Sequence, residues 1–312
     1  MNKLLIATPD AADYAQQIER MALPSLEIHQ ASDVESARRA IVDSDIVLGK
    51  PALLADALDA AEKLQWVQST FAGVDALLAE NLRRDYTLTG VKGIFGPLMS
   101  EYVIGHILAR ERDFPRLREQ QRRGEWQPFG YQSLQTRTVG IMGLGSIGQH
   151  IAATAAHFGM KVLGHKRSPG KVPNVDRVYA GAQLRDFLSQ LDYLVITLPH
   201  TAETEHLIDA SAFDALPSSA VVINVGRGSV VDEPALVDAL RDGRIGGAIL
   251  DVFEEEPLPK DSPLWSLDNV VVTPHVAADS FPEDIVRIFA DNYRRFVDGE
   301  ALDYVIDFER GY

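Results

Sequence analysis

Three side chains able to carry charge or move protons stand just past short apolar runs. Arg227 lies in NVGRGSVVD after AVVIN, Glu256 in LDVFEEEPLP after GAILDV, and His275 in VVVTPHVAA at the end of an apolar strand. Taken singly, each has a plain explanation. Most histidines, and this chain has eight, are structural, and an arginine or glutamate in a loop is usually solvated. Together they are complementary groups at the C-terminal ends of strand-length segments, which is where open α/β sheets bind ligands.

A second motif is Gly143-Leu144-Gly145-Ser146-Ile147-Gly148, between TVGIM and QHIAATAAHFG. G-x-G-x-x-G alone is weak evidence, but between a strand and a helix it is specific. The first glycine permits the tight turn, the second lets a diphosphate approach the backbone, and the third lets helix and strand pack closely. The helix N-terminus adds free N–H groups and partial positive charge. The reading is a dinucleotide turn; the alternative is a packing turn without ligand.

About twenty residues beyond this turn, a site reading the ribose hydroxyl of NAD carries an acidic residue. Here the stretch VLGHKRS (162–168) presents Lys166, Arg167 and Ser168. A carboxylate would repel a 2′-phosphate. Arginine pairs with one bidentately, and lysine adds a point charge. NADP(H) is therefore the expected cofactor, with NAD(H) possible. The alternative is a solvated basic turn with the ribose bound otherwise.

Charge distribution bears on this reading. The chain has 45 acidic residues in 312 and a net charge of −15, yet Trp126 to Val175 contains none. Arg137, Lys161, Lys166, Arg167 and Lys171 remain in that window. Buried elements explain missing acids but not remaining cations, so a local anion site is expected. The acidic balance elsewhere argues against nucleic-acid binding. Cysteine is absent, which excludes thiolate metal sites and a cysteine nucleophile and fits a reducing cytoplasm. No metal site is expected. Apolar runs are strand-length, too short for a membrane span of about 18 residues, and MNKLLIATPDAADY does not read as a secretory signal.

The elements that must position these groups repeat as apolar run, glycine-bearing turn and helical stretch. KLLIAT (3–8), DIVLGK (45–50) and LQWVQST (64–70) read as strands, the first two separated by helical stretches. TVGIMG (138–143), KVLGHK (161–166), YLVIT (193–197), AVVINV (220–225), GAILDVF (247–253) and VVVTPH (270–275) read as six more. Continuous Val/Ile/Leu strands alternating with helices imply parallel sheets covered on both faces. The expected fold is α/β, with two doubly wound parallel-sheet domains: residues 1–98 plus 282–312, and a Rossmann domain over 99–281. Two long helices, 96–112 and 281–299, are expected to bridge them.

VGIMGLGSIG, INVGRGSVVDEPAL, ALRDGRIGGAILDVFEEEPLP with SPLW, and VVVTPHVAA together resemble the D-isomer-specific 2-hydroxyacid dehydrogenase family. The resemblance is dense from about 134 to 280 and fainter in STFAGVD (69–75) and GPLMSEYVIG (96–105). PHVAA and the basic HKRS turn look most like the glyoxylate/hydroxypyruvate reductase branch. The family implies a flavodoxin-like substrate domain beside the Rossmann domain, reduction of a small 2-oxo acid to the D-2-hydroxy acid, and a homodimer through the nucleotide domain. By that resemblance Arg227 holds the substrate carboxylate, His275 is the general acid, and Glu256 pairs with His275 to keep it protonated. The backbone of Ala72 and Gly73 also binds the carboxylate, and Met99 lines the substrate pocket. Leu198, Pro199 and His200 flank the adenosine. Val225 and Gly226 belong to the cofactor site, and Asp251 touches the nicotinamide amide. The site is expected to lie between the domains.

Two departures stand out: Lys166 replaces the ribose acid, and His200 replaces a small or polar residue after Leu-Pro. Other enzymes of small anions on this scaffold compete. Formate dehydrogenases are similar but carry Gln where Glu256 stands. Phosphoglycerate dehydrogenases often add a regulatory domain, not expected here, and use the missing carboxylate. A nucleotide-sensing corepressor is a reading from another class, disfavoured by the compact acidic chain. Phe71, Trp126, Phe129, Tyr131 and Trp265 are candidate pocket walls or core.

Overall fold

The computed structural model describes residues 1–311, which divide into two compact units. The first comprises Met1–Ile94 and the segment from Ser280 onward. Its strands are β1 Asn2–Ala7, β2 Leu26–Ala31, β3 Ile46–Gly49, β4 Trp66–Ser69 and β5 Thr87–Thr89. They are parallel, in the order β2-β1-β3-β4-β5, the flavodoxin-like winding. The central strands β1, β3 and β4 bury apolar side chains on both faces, as parallel sheets require. The helix Pro282–Asp298 returns to this unit and stacks Phe289 on Trp66, with ring centroids 5.2 Å apart. Both rings are fully buried, and truncating such a phenylalanine costs about 3–5 kcal/mol. The tail then pairs Val305 antiparallel with Thr89, covering the edge that β5 would otherwise expose.

The second unit, Phe95–Asp279, carries a seven-stranded parallel sheet. Its strands are β6 Thr138–Met142, β7 Lys161–Lys166, β8 Arg177–Ala180, β9 Tyr193–Ile196, β10 Val221–Asn224, β11 Gly247–Leu250 and β12 Val270–Val272. The order is β12-β11-β10-β9-β6-β7-β8. Winding starts at β6, runs outward to β8, then reverses from β9, the dinucleotide-fold order with one strand added. Ligands of such sheets sit at the reversal, between β6 and β9. The helix Phe95–Glu111 accepts Pro97 in its first turn and packs on the helix Ser146–His157. There Gly96 is obligatory, since a Cβ would come within 2.8 Å of the His150 side chain.

Three strands lie outside the nine expected from sequence: β2, β5 and β8. β2 (LEIHQA) and β8 (RVYA) are edge strands with polar residues facing solvent, and β5 has three residues. Edge strands lack the continuous apolar run that announces a central one. One expectation is corrected. Arg137 does not belong to a local anion site, because Glu111 (2.8 Å) and Asp192 (3.3 Å) engage it. It precedes β6, at the sheet end opposite Gly143.

Candidate active site

The turn after β6 assigns each glycine a separate constraint. Gly143 has φ +95°, and a Cβ there would come 2.8 Å from Thr197 Oγ1. At Gly148 a Cβ would fall 1.9 Å from the Gly143 carbonyl oxygen, so strand and helix pack through it. At Gly145, the helix N-cap, a Cβ would meet nothing within 4 Å. That combination leaves open space at the start of a twelve-residue helix with no acidic residue in its first turn. Ser146 is exposed, Ile147 half-buried and Leu144 buried. The residues therefore fit a diphosphate at the helix N-terminus.

Lys166 ends β7 half-buried, while Arg167 and Ser168 are exposed. Arg167 meets Glu203 at 3.6 Å, which brings the turn after β9 beside the basic turn. Both side chains are more than two-thirds exposed, so the pair is worth about 0–1 kcal/mol and opens readily. His200 Nδ1 lies 2.8 Å from Ser229 Oγ, linking the same turn to the loop after β10. Leu198 is half-buried, Pro199 exposed and Val225 buried. A Cβ on Gly226 would press to 2.7 Å on the Leu198 carbonyl, so these two loops touch through backbone.

Arg227, Glu256 and His275 follow β10, β11 and β12, three neighbouring strands. His275 Nδ1 lies 2.8 Å from Glu256 Oε2. A carboxylate only accepts, so Nδ1 carries the proton and Nε2 is the outward nitrogen. The Phe253 N–H donates to the other Glu256 oxygen at 3.0 Å. The hydrogen bond to Glu256 raises the His275 pKa above its ordinary value against the opposing effect of burial, with the Glu256 and Asp251 charges adding and Arg227 subtracting. Burial pushes Glu256 upward, but hydrogen bonds from His275 and Phe253 and the charges of His275 and Arg227 leave it lowered overall. The pair therefore favours imidazolium and carboxylate together. Half-buried Arg227 donates to the Gly226 carbonyl at 2.7 Å, and its own carbonyl accepts from Asn224 Nδ2 at 2.9 Å.

The Glu256 loop is clamped from outside by residues the sequence reading passed over. Glu254 accepts from the Glu233 N–H (3.2 Å), Glu233 from the Glu254 N–H (2.6 Å), and His206 Nε2 meets Glu254 at 2.9 Å. Burial raises the Glu233 pKa, and the Glu254 and Glu256 charges add to it. The VDE of the sequence was the available signal.

Asp251, 1% exposed, directs its carboxylate at the loop carrying His275. Oδ1 accepts from Thr273 Oγ1 (2.6 Å) and the Val276 N–H (2.9 Å), and Oδ2 from the Ala277 N–H (2.9 Å). Three of about four acceptor positions are thus engaged, and one remains. Met99 is partly buried against the core of its unit. Phe129 and Tyr131 lie under Arg116 and Arg112, at 4.3 and 4.0 Å, and Trp126 is 94% exposed. In the first unit, Ala72 is exposed and Gly73 half-buried in the loop after β4, pinned where Ser69 Oγ bonds the Phe71 N–H (3.0 Å) and carbonyl (2.8 Å). Lys50, unmarked by the sequence reading, stands 5.5 Å over the Phe71 ring.

Comparison with known proteins finds relatives and solved structures similar to this chain. Glyoxylate/hydroxypyruvate reductase A of Salmonella heidelberg is 33% identical over 260 residues, 81% of this chain and 83% of that protein. A D-3-phosphoglycerate dehydrogenase of Methanocaldococcus jannaschii is 30% identical, and the chain spans 60% of its length. A D-isomer specific 2-hydroxyacid dehydrogenase family protein from Aeromonas salmonicida superposes with TM-score 0.95 at 50% identity, covering 98% of this chain and 99% of that one. An NADPH-dependent glyoxylate/hydroxypyruvate reductase from Sinorhizobium meliloti, solved with NADP and sulfate, superposes at TM-score 0.88 and 31% identity over the full length of both chains. Residues 104–277 match the D-isomer specific 2-hydroxyacid dehydrogenase NAD binding domain, more than half of the chain, and the chain belongs to that family.

Proposed function

We propose that the protein reduces a small 2-oxo acid of the glyoxylate or hydroxypyruvate type to the D-2-hydroxy acid, with NADPH preferred over NADH. The observation that carries the reading is the 2.8 Å His275–Glu256 pair beside Arg227 on adjoining strand ends. The names of the Salmonella and Sinorhizobium relatives support the substrate class, and the latter's NADP complex supports the cofactor.

Gly143 to Gly148 would hold the cofactor diphosphate, and Lys166, Arg167 and Ser168 the 2′-phosphate, with Leu198, Pro199 and His200 along the adenosine. Val225, Gly226 and the remaining acceptor position of Asp251 would serve the nicotinamide end. When bound, the reduced nicotinamide supplies a hydride to the carbonyl carbon. Arg227 and the side chain of Met99 hold and orient the oxo acid. His275 gives its Nε2 proton to the carbonyl oxygen as charge develops there, and Glu256 keeps the imidazole charged until then. The neutral imidazole regains a proton from solvent.

The proposed assembly is a homodimer. Its support is the helix Phe114–Arg123, which has no buried residue and exposes Phe114 and Leu117 near Trp126 in sequence. Among the described residues no helix is long and apolar enough to cross a membrane, and the cysteine-free composition supports a cytoplasmic setting.

The test follows cofactor oxidation with glyoxylate, using NADPH and NADH in parallel. Clear NADPH preference, and a loss of about a hundredfold or more in His275→Ala, are expected. Turnover surviving in His275→Ala would move the proton donor elsewhere.

A further inference from the structure

We propose that Tyr102 and Thr273 are positioning residues for His275, forming with Asp251 a hydrogen-bonded strut that presents the imidazole to Glu256. The inference rests on the reading of His275 as proton donor.

The backbone of His275 sits at φ +54°, a left-handed conformation that costs a side-chain-bearing residue about 1–2 kcal/mol. Surrounding bonds must hold it there. The Asp251 carbonyl accepts the His275 N–H at 3.0 Å, and the Asp251 carboxylate accepts the N–H groups of the next two residues. The loop is therefore as well placed as Asp251 is. Within the observed hydrogen bonds, Thr273 is the side chain that fixes that carboxylate, at 2.6 Å.

A threonine hydroxyl has one proton, and the carboxylate takes it. Tyr102 Oη, 2.7 Å from the same hydroxyl, must therefore donate to it. Proton directions run one way: Tyr102 to Thr273 to Asp251. Burial pushes the Tyr102 pKa up to about 12, so it remains a donor throughout the working range. The phenol ring packs against His106, at 4.4 Å between centroids, on the helix Phe95–Glu111. The strut thus ties the His275 loop to a rigid seventeen-residue helix rather than to another loop. Rigid support of this kind matters because a displacement of about 1 Å at a reacting group can cost about a hundredfold in rate.

The test uses Thr273→Val, Thr273→Ser and Tyr102→Phe in the full chain. The primary readout is the titration of the His275 imidazole by NMR without cofactor or substrate. The groups facing that ring are Glu256, Asp251 and Arg227. In wild type and Thr273→Ser it should titrate above the ordinary histidine value, and in Thr273→Val it should fall toward it. Tyr102→Phe, which removes one oxygen and keeps the ring, should move it in the same direction by less. In turnover, Thr273→Val should lose about tenfold to a hundredfold in kcat, with glyoxylate KM within about twofold. If Thr273→Val and Tyr102→Phe titrate like wild type, the strut does not position His275. A wild-type protein that reduces no 2-oxo acid would refute the catalytic reading instead, while separated titration curves would still support the strut.

Discussion

Replacing Glu256 with Gln separates charge from shape at the proposed proton donor. The side chains meet at 2.8 Å, and Gln keeps an acceptor for the Nδ1 proton. Two unit charges about 4 Å apart attract by about 4 kcal/mol at an effective dielectric near 20. His275 is 53% and Glu256 36% exposed, so water screens most of this and about 1 kcal/mol remains. Without the carboxylate, burial and Arg227 push the imidazole toward neutrality against the Asp251 charge alone. The alkaline limb of kcat/KM should therefore move down by about one pH unit, at about 1.4 kcal/mol per unit. The assay is initial-rate reduction of glyoxylate with saturating NADPH across pH. Well above the limb the variant should run about tenfold slower, and below it the two enzymes should converge to within about threefold. An unmoved limb, or an equal loss at every pH, would refute the electrostatic role of Glu256.

Other expectations follow from the same geometry. The stability difference between wild type and Glu256→Gln should itself depend on pH. The His275 contribution is complete below its unfolded value near 6.5 and lost as pH rises through its raised folded value. The Glu256 contribution is present above its unfolded value near 4.3 and lost as pH falls through its lowered folded value. Thermal melts should thus differ most between about pH 4.3 and 6.5 and converge outside that range. Neutral residues at Lys166 and Arg167 should raise the NADPH KM about tenfold or more and leave NADH within about twofold; equal loss with both cofactors would mean that these cations do not read the phosphate. Gly148→Ala should cost about 3 kcal/mol or more, seen as a lowered Tm, because its Cβ would fall on the Gly143 carbonyl. Gly145→Ala should leave Tm unchanged and raise the NADPH Kd about tenfold or more; unchanged binding would place the diphosphate elsewhere.

The sequence by itself determined the interior of both sheets. Buried parallel strands must be apolar on both faces, so β1, β3 and the central strands of the larger sheet announce themselves as apolar runs rich in Val, Ile and Leu, and β4 by Trp66 and Val67. It also marked the glycine turn, the basic turn, and Arg227, Glu256 and His275, because each chemical need there is met by few residue types at short spacing. Tertiary structure decided what depends on long-range contact. β2, β5 and β8 form because a neighbouring strand completes their hydrogen bonds, not because their own pattern demands it. Arg137 reads locally as one more cation in an acid-free window, yet Glu111 and Asp192 engage it from distant parts of the chain. Thr273 and Tyr102 are ordinary letters in the sequence, and Asp251 was marked there only as a contact of the nicotinamide. Only folding brings an aspartate after β11, a threonine after β12 and a tyrosine of the helix Phe95–Glu111 within hydrogen-bond distance, and hydrogen bonds that short have no signature in a pattern read along the chain.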